Sequence, residues 1–183
     1  MKISIVSLGC SKNLVDSEIM TGALKNSGHQ ISSEQDAEVI IVNTCGFIGD
    51  AKKESVDTIL EMSEHKINGS CKKLIVTGCL VERYSQELSE ELPEVDAFWG
   101  TGNLLKINEV LEDRRSREFR KSAPGTIYDP DTPRVMLTPP HYAFVKVSEG
   151  CSRTCSFCII PKMRGLMRSR SVESIEGEIE RLA

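Results

Sequence analysis

Apolar residues in this chain gather in short runs separated by longer mixed stretches. Ile3 to Leu8, Val39 to Asn43 and Leu74 to Thr77 are runs rich in β-branched residues, of the kind that fits strands buried on both faces of a parallel sheet. His29 to Ile31 and Asp96 to Gly100 are shorter strand candidates. Between them lie helical patterns: about Asn13 to Lys25 with Gly28 as a stop, about Ala51 to His65, about Ser85 to Leu92 ended by Pro93, and Asn103 to about Arg117. Val56, Ile59, Leu60 and Met62 form a rough apolar stripe on the second of these. Asp16 and Glu18 read as carboxylates at the positive end of the first helix, and Arg114, Arg115 and Arg117 as cations at the negative end of the last. Strands alternating with helices predict an α/β fold, an open and mostly parallel sheet with flanking helices.

From about Lys121 to Pro140 the periodicity breaks into Pro124-Gly125, Asp129-Pro130, Asp131-Thr132-Pro133 and Pro139-Pro140. This composition reads as a linker over 121–136, after a first domain at 1–120 and before a second that starts at 137. Tyr142 to Ser148 then reads as a strand and Val172 to Ala183 as a helix. One strand-loop-helix unit cannot bury both faces of its strand, and the helical pattern runs out at Leu182-Ala183 without a stop signal. Residues 137–183 are therefore expected to begin an incomplete domain, and the chain to be a piece of a longer protein.

Composition narrows the function classes. Hydrophobic residues make up 39% of the 183, enough for a core. No apolar run approaches the ~20 residues of a membrane span, which favours a soluble, cytoplasmic protein with no membrane partner. A net charge of −4 argues against a generic polyanion binder. The charge is uneven, however: Arg153, Lys162, Arg164, Arg168 and Arg170 share one stretch with no acidic residue among them. Such a stretch suits a carboxylate, a phosphate or an anionic thiolate cluster, or is a solvated basic loop.

The cysteines carry the chemistry. Cys151, Cys155 and Cys158 have C-x3-C-x2-C spacing. Three thiolates on one short loop can hold three irons of a cubane, and because such clusters normally take four cysteines, one iron would stay open to a ligand. A three-cysteine zinc site would want a nearby histidine, and His141 lies ten residues upstream of Cys151, off the usual spacings. Seven cysteines, an odd number, weigh against a disulfide framework.

A second trio emerges when each cysteine is read with the strand before it. Cys10, Cys45 and Cys79 each come just past the carboxyl end of a predicted strand, at intervals of 35 and 34 residues, about the length of one βαβ unit. Parallel strands would raise all three thiols at one sheet edge, where α/β proteins place their ligand crevice. Gly9, Gly46 and Gly78 beside them would let a bulky group approach the backbone. The bland reading is that a free cysteine is often a small buried hydrophobe. Cys71 precedes its strand, so it belongs at the opposite edge.

Four stretches carry a family resemblance: Ser7-Leu8-Gly9-Cys10-Ser11-Lys12-Asn13-Leu14-Val15-Asp16-Ser17-Glu18, Asn43 to Ile48, Leu137 to Cys151, and Cys158 to Gly165. Over essentially its whole length the chain resembles the radical S-adenosylmethionine methylthiotransferases. Lys12 stands where the tRNA-modifying branch usually has methionine, so the resemblance is to the branch that modifies an aspartate of the twelfth small-subunit ribosomal protein.

The resemblance implies that Cys151, Cys155 and Cys158 bind a [4Fe-4S] cluster whose open iron chelates S-adenosyl-L-methionine. An electron from an external donor would then release a 5′-deoxyadenosyl radical that takes hydrogen from the aspartate β-carbon. Cys10, Cys45 and Cys79 would hold an auxiliary [4Fe-4S] cluster that carries or supplies the sulfur. It also implies that residues 137–183 start a radical S-adenosylmethionine (β/α) barrel whose remainder, like a small β-rich substrate-holding domain, is absent, so that this polypeptide alone is not expected to turn over. Arg153 and Arg164 are candidates for the vicinity of the adenosylmethionine carboxylate. Lys12 and Asn13 are placed to bond cluster sulfur, although Asn13 suits a helix cap equally well. Trp99 is expected to pack between sheet and helix. Two rival functions remain: a tRNA adenosine methylthiotransferase of the same family, and a non-catalytic iron-sulfur carrier. The second would need a fourth cysteine for each cluster, more than the chain supplies.

Overall fold

A computed structural model describes residues 1–102, 104–112, 119–120 and 127–183. Its centre is a six-stranded, wholly parallel sheet. The strands are β1 (Lys2–Ser7), β2 (Gln30–Ile31), β3 (Val39–Thr44), β4 (Lys73–Gly78), β5 (Ala97–Trp99) and β6 (Phe119–Arg120), in the order β2-β1-β3-β4-β5-β6. All six residues of β3 are buried, as a strand covered on both faces requires.

The side-chain alternation of a strand sorts the core into two layers. Ile40, Val42, Leu74, Val76 and Phe98 face α2 (Gly49–Asn68) and α3 (Cys79–Glu91), packing on Ile59, Met62, Leu80 and Leu88. Val39, Ile41, Ile75 and Trp99 face α1 (Ser11–Asn26) and α4 (Ile107–Glu112), packing on Met20, Leu24, Ile107 and Val110. Trp99 thus sits between sheet and helix. Because α1 covers one face and α2 the other, the winding reverses between β1 and β3. Ligand crevices of open α/β sheets form at that point, beyond the carboxyl ends of the strands.

Several elements differ from the pattern reading. Helix α1 begins at Ser11, which places Asp16 and Glu18 beyond its first turn, where both are buried. They do not serve the helix dipole; their partners come from residues 128–164. Helix α3 starts at Cys79 itself rather than near Ser85, with a kink at Tyr84 (φ −132°, ψ 35°). The predicted final helix is a 3-10 turn at Leu104–Lys106 followed by the short α4, and Arg114, Arg115 and Arg117 lie outside the described residues. Residues 121–126 of the expected linker also lie outside them. Its end, from residue 127, runs over α1: Val135 N–H donates to Glu18 O at 3.0 Å, and a Cβ on Gly22 would sit 2.5 Å from the Pro133 carbonyl carbon.

Of the strand expected at Tyr142 to Ser148, only Ser148 enters a ladder. The two-residue β7 (Ser148–Glu149) pairs antiparallel with β8 (Arg168–Ser169). An extended segment counts as a strand only where a neighbour supplies hydrogen bonds, and residues 168–169 are its neighbour among the described residues. A short α5 (Ile160–Arg164) follows the cysteine loop, and α6 (Val172–Leu182), capped by Ser171, ends the segment.

Candidate metal centre and its buried ion pairs

The parallel register determines where the first cysteine trio stands. Ser7 pairs with Asn43 and Thr44 with Gly78, so β1, β3 and β4 end together and their following residues meet. Gly9 packs so closely on the β3 end that a Cβ there would lie 2.6 Å from Cys45 Cβ and 2.9 Å from Cys45 Sγ. Gly46 likewise presses on the start of α3, with a Cβ position 2.9 Å from Cys79 O. Cys10 is the N-cap of α1 and Cys79 the first residue of α3. Both thiols therefore stand at helix N-termini. Cys45 and Cys79 are buried and Cys10 is exposed.

Each of the two buried members has its own support. Ser55 in α2 holds Cys45 from both sides: its Oγ accepts from Cys45 N–H at 3.0 Å and donates to Cys45 O at 3.0 Å. The Cys79 thiol donates to Asn13 Oδ1 at 3.8 Å and accepts from Arg164 Nε at 3.2 Å. Burial raises the Cys79 thiol pKa, only partly offset by Arg164. Asn13 does not cap α1; it lies inside the helix and is fully buried.

Cys71 is buried at the other edge, its thiol turned to Lys73 O at 3.4 Å.

The second trio lies on an open loop. Cys155 is exposed, and Cys151 and Cys158 are half-buried. Gly150 (φ +77°) lets the chain turn against Gly165 and Leu166, and Cys151 N–H donates to Gly165 O at 3.0 Å. Phe157, on the same loop, is 91% exposed. Arg153 is exposed beside it.

Arg164 follows the second trio by six residues. Its side chain is buried and aimed at the first trio, where Nη1 donates to Asp16 Oδ2 at 2.6 Å and Glu149 Oε2 at 3.3 Å, and Nη2 donates to Asn13 Oδ1. Lys146 completes the cluster, donating to Asp16 Oδ1 and, at 2.8 Å, to Glu149 Oε2. Tyr128 OH donates to Asp16 Oδ1 at 2.8 Å. Burial works against the Asp16 charge, but Lys146 and Arg164 override it and hold the carboxyl below its usual range. Glu149 is lowered in the same way.

Lys12 reaches the same segment, donating to Ser148 O at 2.8 Å and lying 3.6 Å from Glu149 Oε1. A parallel chain of pairs runs outward through Glu18, Arg134, Glu178 and Arg170. These partners lie more than a hundred residues from α1 in sequence, and hydrophobic periodicity carries no local signal for them. The acid-free basic stretch from Arg153 to Arg170 is the one clue the sequence offers.

As placed, no three Cys, His, Asp or Glu side chains among the described residues close around a single ion. The donor chemistry nonetheless suits an iron-sulfur group: three thiols at one sheet edge, two of them at helix N-termini, with glycines where any Cβ would collide. A cubane spaces its cysteine sulfurs more widely than one ion spaces its ligands.

The chain is 50% identical over 99% of its length to the ribosomal protein uS12 methylthiotransferase RimO of Syntrophotalea carbinolica. It is 49% identical over its full length to those of Desulfitobacterium hafniense and Sorangium cellulosum. It covers 41%, 42% and 38% of those proteins respectively, so the chain spans about two fifths of the length of the curated relatives it matches. A family model covers the sheet from β1 to β5, residues 2–100, and the chain belongs to the family described as Uncharacterized protein family UPF0004.

Proposed function

We propose that the chain is the cluster-bearing part of a radical S-adenosylmethionine methylthiotransferase of the RimO type, which adds a methylthio group to the β-carbon of an aspartate in ribosomal protein uS12. The observation that carries this reading is the meeting of the two cysteine-bearing segments: Arg164, six residues after Cys158, reaches the Cys79 sulfur. A sulfur donor and a radical source must share one cleft, and this contact draws the two segments together.

In the proposed layout residues 1–120 form the methylthiotransferase domain, 121–136 the linker and 137–183 the start of the radical domain. Cys10, Cys45 and Cys79 hold one [4Fe-4S] cluster, and Cys151, Cys155 and Cys158 the other. When bound, the clusters supply the electron for adenosylmethionine cleavage and the sulfur that is transferred, with an external donor providing reducing power. The chain's own residues support that chemistry by gathering the three cysteines at one sheet edge and burying Cys45 and Cys79 from water. The exposed loop at Cys155 and Phe157 is left free for the cofactor and the rest of the protein, and Arg153 on that loop remains a candidate for the adenosylmethionine carboxylate. No helix among the described residues is long and apolar enough to cross a membrane; the proposed substrate, a ribosomal protein, is what would place the enzyme in the cytoplasm.

The test uses the whole protein, reconstituted anaerobically with iron and sulfide. About eight irons per chain are expected for two four-iron clusters. Given adenosylmethionine and a reductant, it should add a methylthio group to the uS12 aspartate, read by mass spectrometry, and leave an adenosine-containing tRNA anticodon arm unchanged. Modification of the tRNA instead would assign it to the tRNA branch.

A further inference from the structure

We infer that Asn13 is a positioning residue for the first cysteine trio: one buried amide that fastens all three cysteine-bearing strand ends to one another and to the segment that carries the second trio. The inference rests on the proposed cluster role of Cys10, Cys45 and Cys79, and adds a residue that is no ligand.

The side chain of Asn13 is 0% exposed, and both its nitrogen and its oxygen are engaged. Nδ2 donates to Leu8 O at 3.0 Å, two residues before Cys10. Its second N–H goes to Thr44 O at 2.9 Å, the residue before Cys45. Oδ1 accepts from the Cys79 thiol at 3.8 Å and from Arg164 Nη2. The two donors thus engage the ends of β1 and β3, and the acceptor engages Arg164 of α5, whose Nε donates to the Cys79 sulfur, so the start of α3 stays tied to Asn13 through Arg164 when that sulfur is a thiolate.

An amide is the side chain that can do this. It offers two donors and an acceptor on one short plane, where aspartate would set a negative charge against two carbonyl oxygens, and alanine would leave those carbonyls and the Arg164 fork short of a partner. Asn13 is itself fixed by Asn43, whose Nδ2 donates to Asn13 O at 2.9 Å and Ser17 Oγ at 2.9 Å. Helix α1 therefore cannot slide along the sheet edge without breaking the set. Partners just outside a ligand shell orient the ligands, and their loss commonly weakens metal retention.

The test compares Asn13→Asp and Asn13→Ala with Thr21→Val, all made in whole protein that also carries Cys151→Ala, Cys155→Ala and Cys158→Ala, so that only the first trio can hold iron. Thr21 is a buried control on the same helix whose hydroxyl donates to Ser17 O. Two quantities are read under conditions where circular dichroism reports folded protein. One is the rate at which a chelator strips iron from the reconstituted protein; the other is the alkylation rate of Cys45 and Cys79 in metal-free protein.

Both Asn13 variants should lose iron about 10- to 100-fold faster than the parent. Their metal-free thiols should be alkylated at least about tenfold faster, the opening expected from one lost buried amide. Thr21→Val should match the parent in both. Unchanged rates in the Asn13 variants, or equal acceleration by Thr21→Val, would overturn the positioning role. A parent that takes up no iron while its Asn13 variants show faster alkylation would instead overturn the cluster reading and leave the fastening intact.

Discussion

Arg164 Nε lies 3.2 Å from the Cys79 sulfur while Nη1 of the same guanidinium lies 2.6 Å from Asp16 Oδ2. A single side chain from α5 thus reaches across 85 and 148 positions of sequence to tie the second cysteine segment to the sheet edge. Its planar fork suits several acceptors at once, which a lysine ammonium does not reproduce. Arg164→Ala should destabilise the protein by about 3–5 kcal/mol, because it leaves Asp16 and Glu149 with too few buried cations. Arg164→Lys should recover only part of that loss. Urea unfolding measures both, and a midpoint unchanged in Arg164→Ala would show that the guanidinium does not bind the two segments.

The same cluster fixes an acid limit to stability. Burial alone would raise the pKa of Asp16 and Glu149, but Lys146 and Arg164 hold both below their ordinary values. A carboxyl lowered in the fold binds protons less readily than it does in the unfolded chain. Its contribution is therefore complete above the unfolded value near about 4 and disappears as pH falls through the lower folded value. The unfolding free energy should decline between about pH 5 and about pH 2. Asp16→Asn should begin less stable at neutral pH and decline more gently; a slope equal to that of the parent would locate the acid sensitivity elsewhere.

Two glycines separate backbone strain from crowding. Gly28 (φ +81°) follows the end of α1 with nothing within 4 Å of the place a Cβ would take, whereas at Gly78 (φ +100°) that place runs into Thr44 O and lies 2.5 Å from Asn43 Oδ1. Gly28→Ala should cost only the left-handed conformation, about 1–2 kcal/mol. Gly78→Ala adds overlap with backbone that is fixed by the β3–β4 ladder, and should cost at least about 3 kcal/mol. Thermal melts of the two variants test the difference, and equal losses would mean that the β3 end can yield.

Much of this arrangement is legible in the chain, for reasons that also explain what is not. Val39 to Asn43 and Leu74 to Thr77 announce buried parallel strands by composition, and parallel strands carry their carboxyl ends to one edge of the sheet, so the residues alone predict Cys10, Cys45 and Cys79 at that edge. Asp16 and Glu18 mislead because a carboxylate early in a helix has a ready local explanation, while their actual partners Lys146, Arg164 and Arg134 are brought in only by tertiary folding. Strands such as β6 and β8, two residues each, carry no periodicity at all. The role of Asn13 is hidden for a similar reason, since a buried amide looks like a helix cap until the strand ends it bonds are in place.

The proposed division of labour between the two trios yields a prediction in the whole protein. Cys10 is the exposed member of the first trio and stands at the N-terminus of α1, remote in sequence from the loop of Cys151, Cys155 and Cys158. The wrapping of Cys45 by Ser55 and of Cys79 by Asn13 and Arg164 does not depend on the Cys10 thiol, so Cys10→Ala should fold normally. Two thiolates cannot hold a cubane that three support, and iron after reconstitution should fall from about eight to about four per chain. The second trio would keep its cluster, so reductive cleavage of adenosylmethionine should persist while methylthio transfer to uS12 is abolished. Measuring 5′-deoxyadenosine release and uS12 mass in one reaction separates the two steps. If a folded Cys10→Ala protein loses both, the trios act as one centre, and the contact between Arg164 and Cys79 would then be the place to look for their coupling.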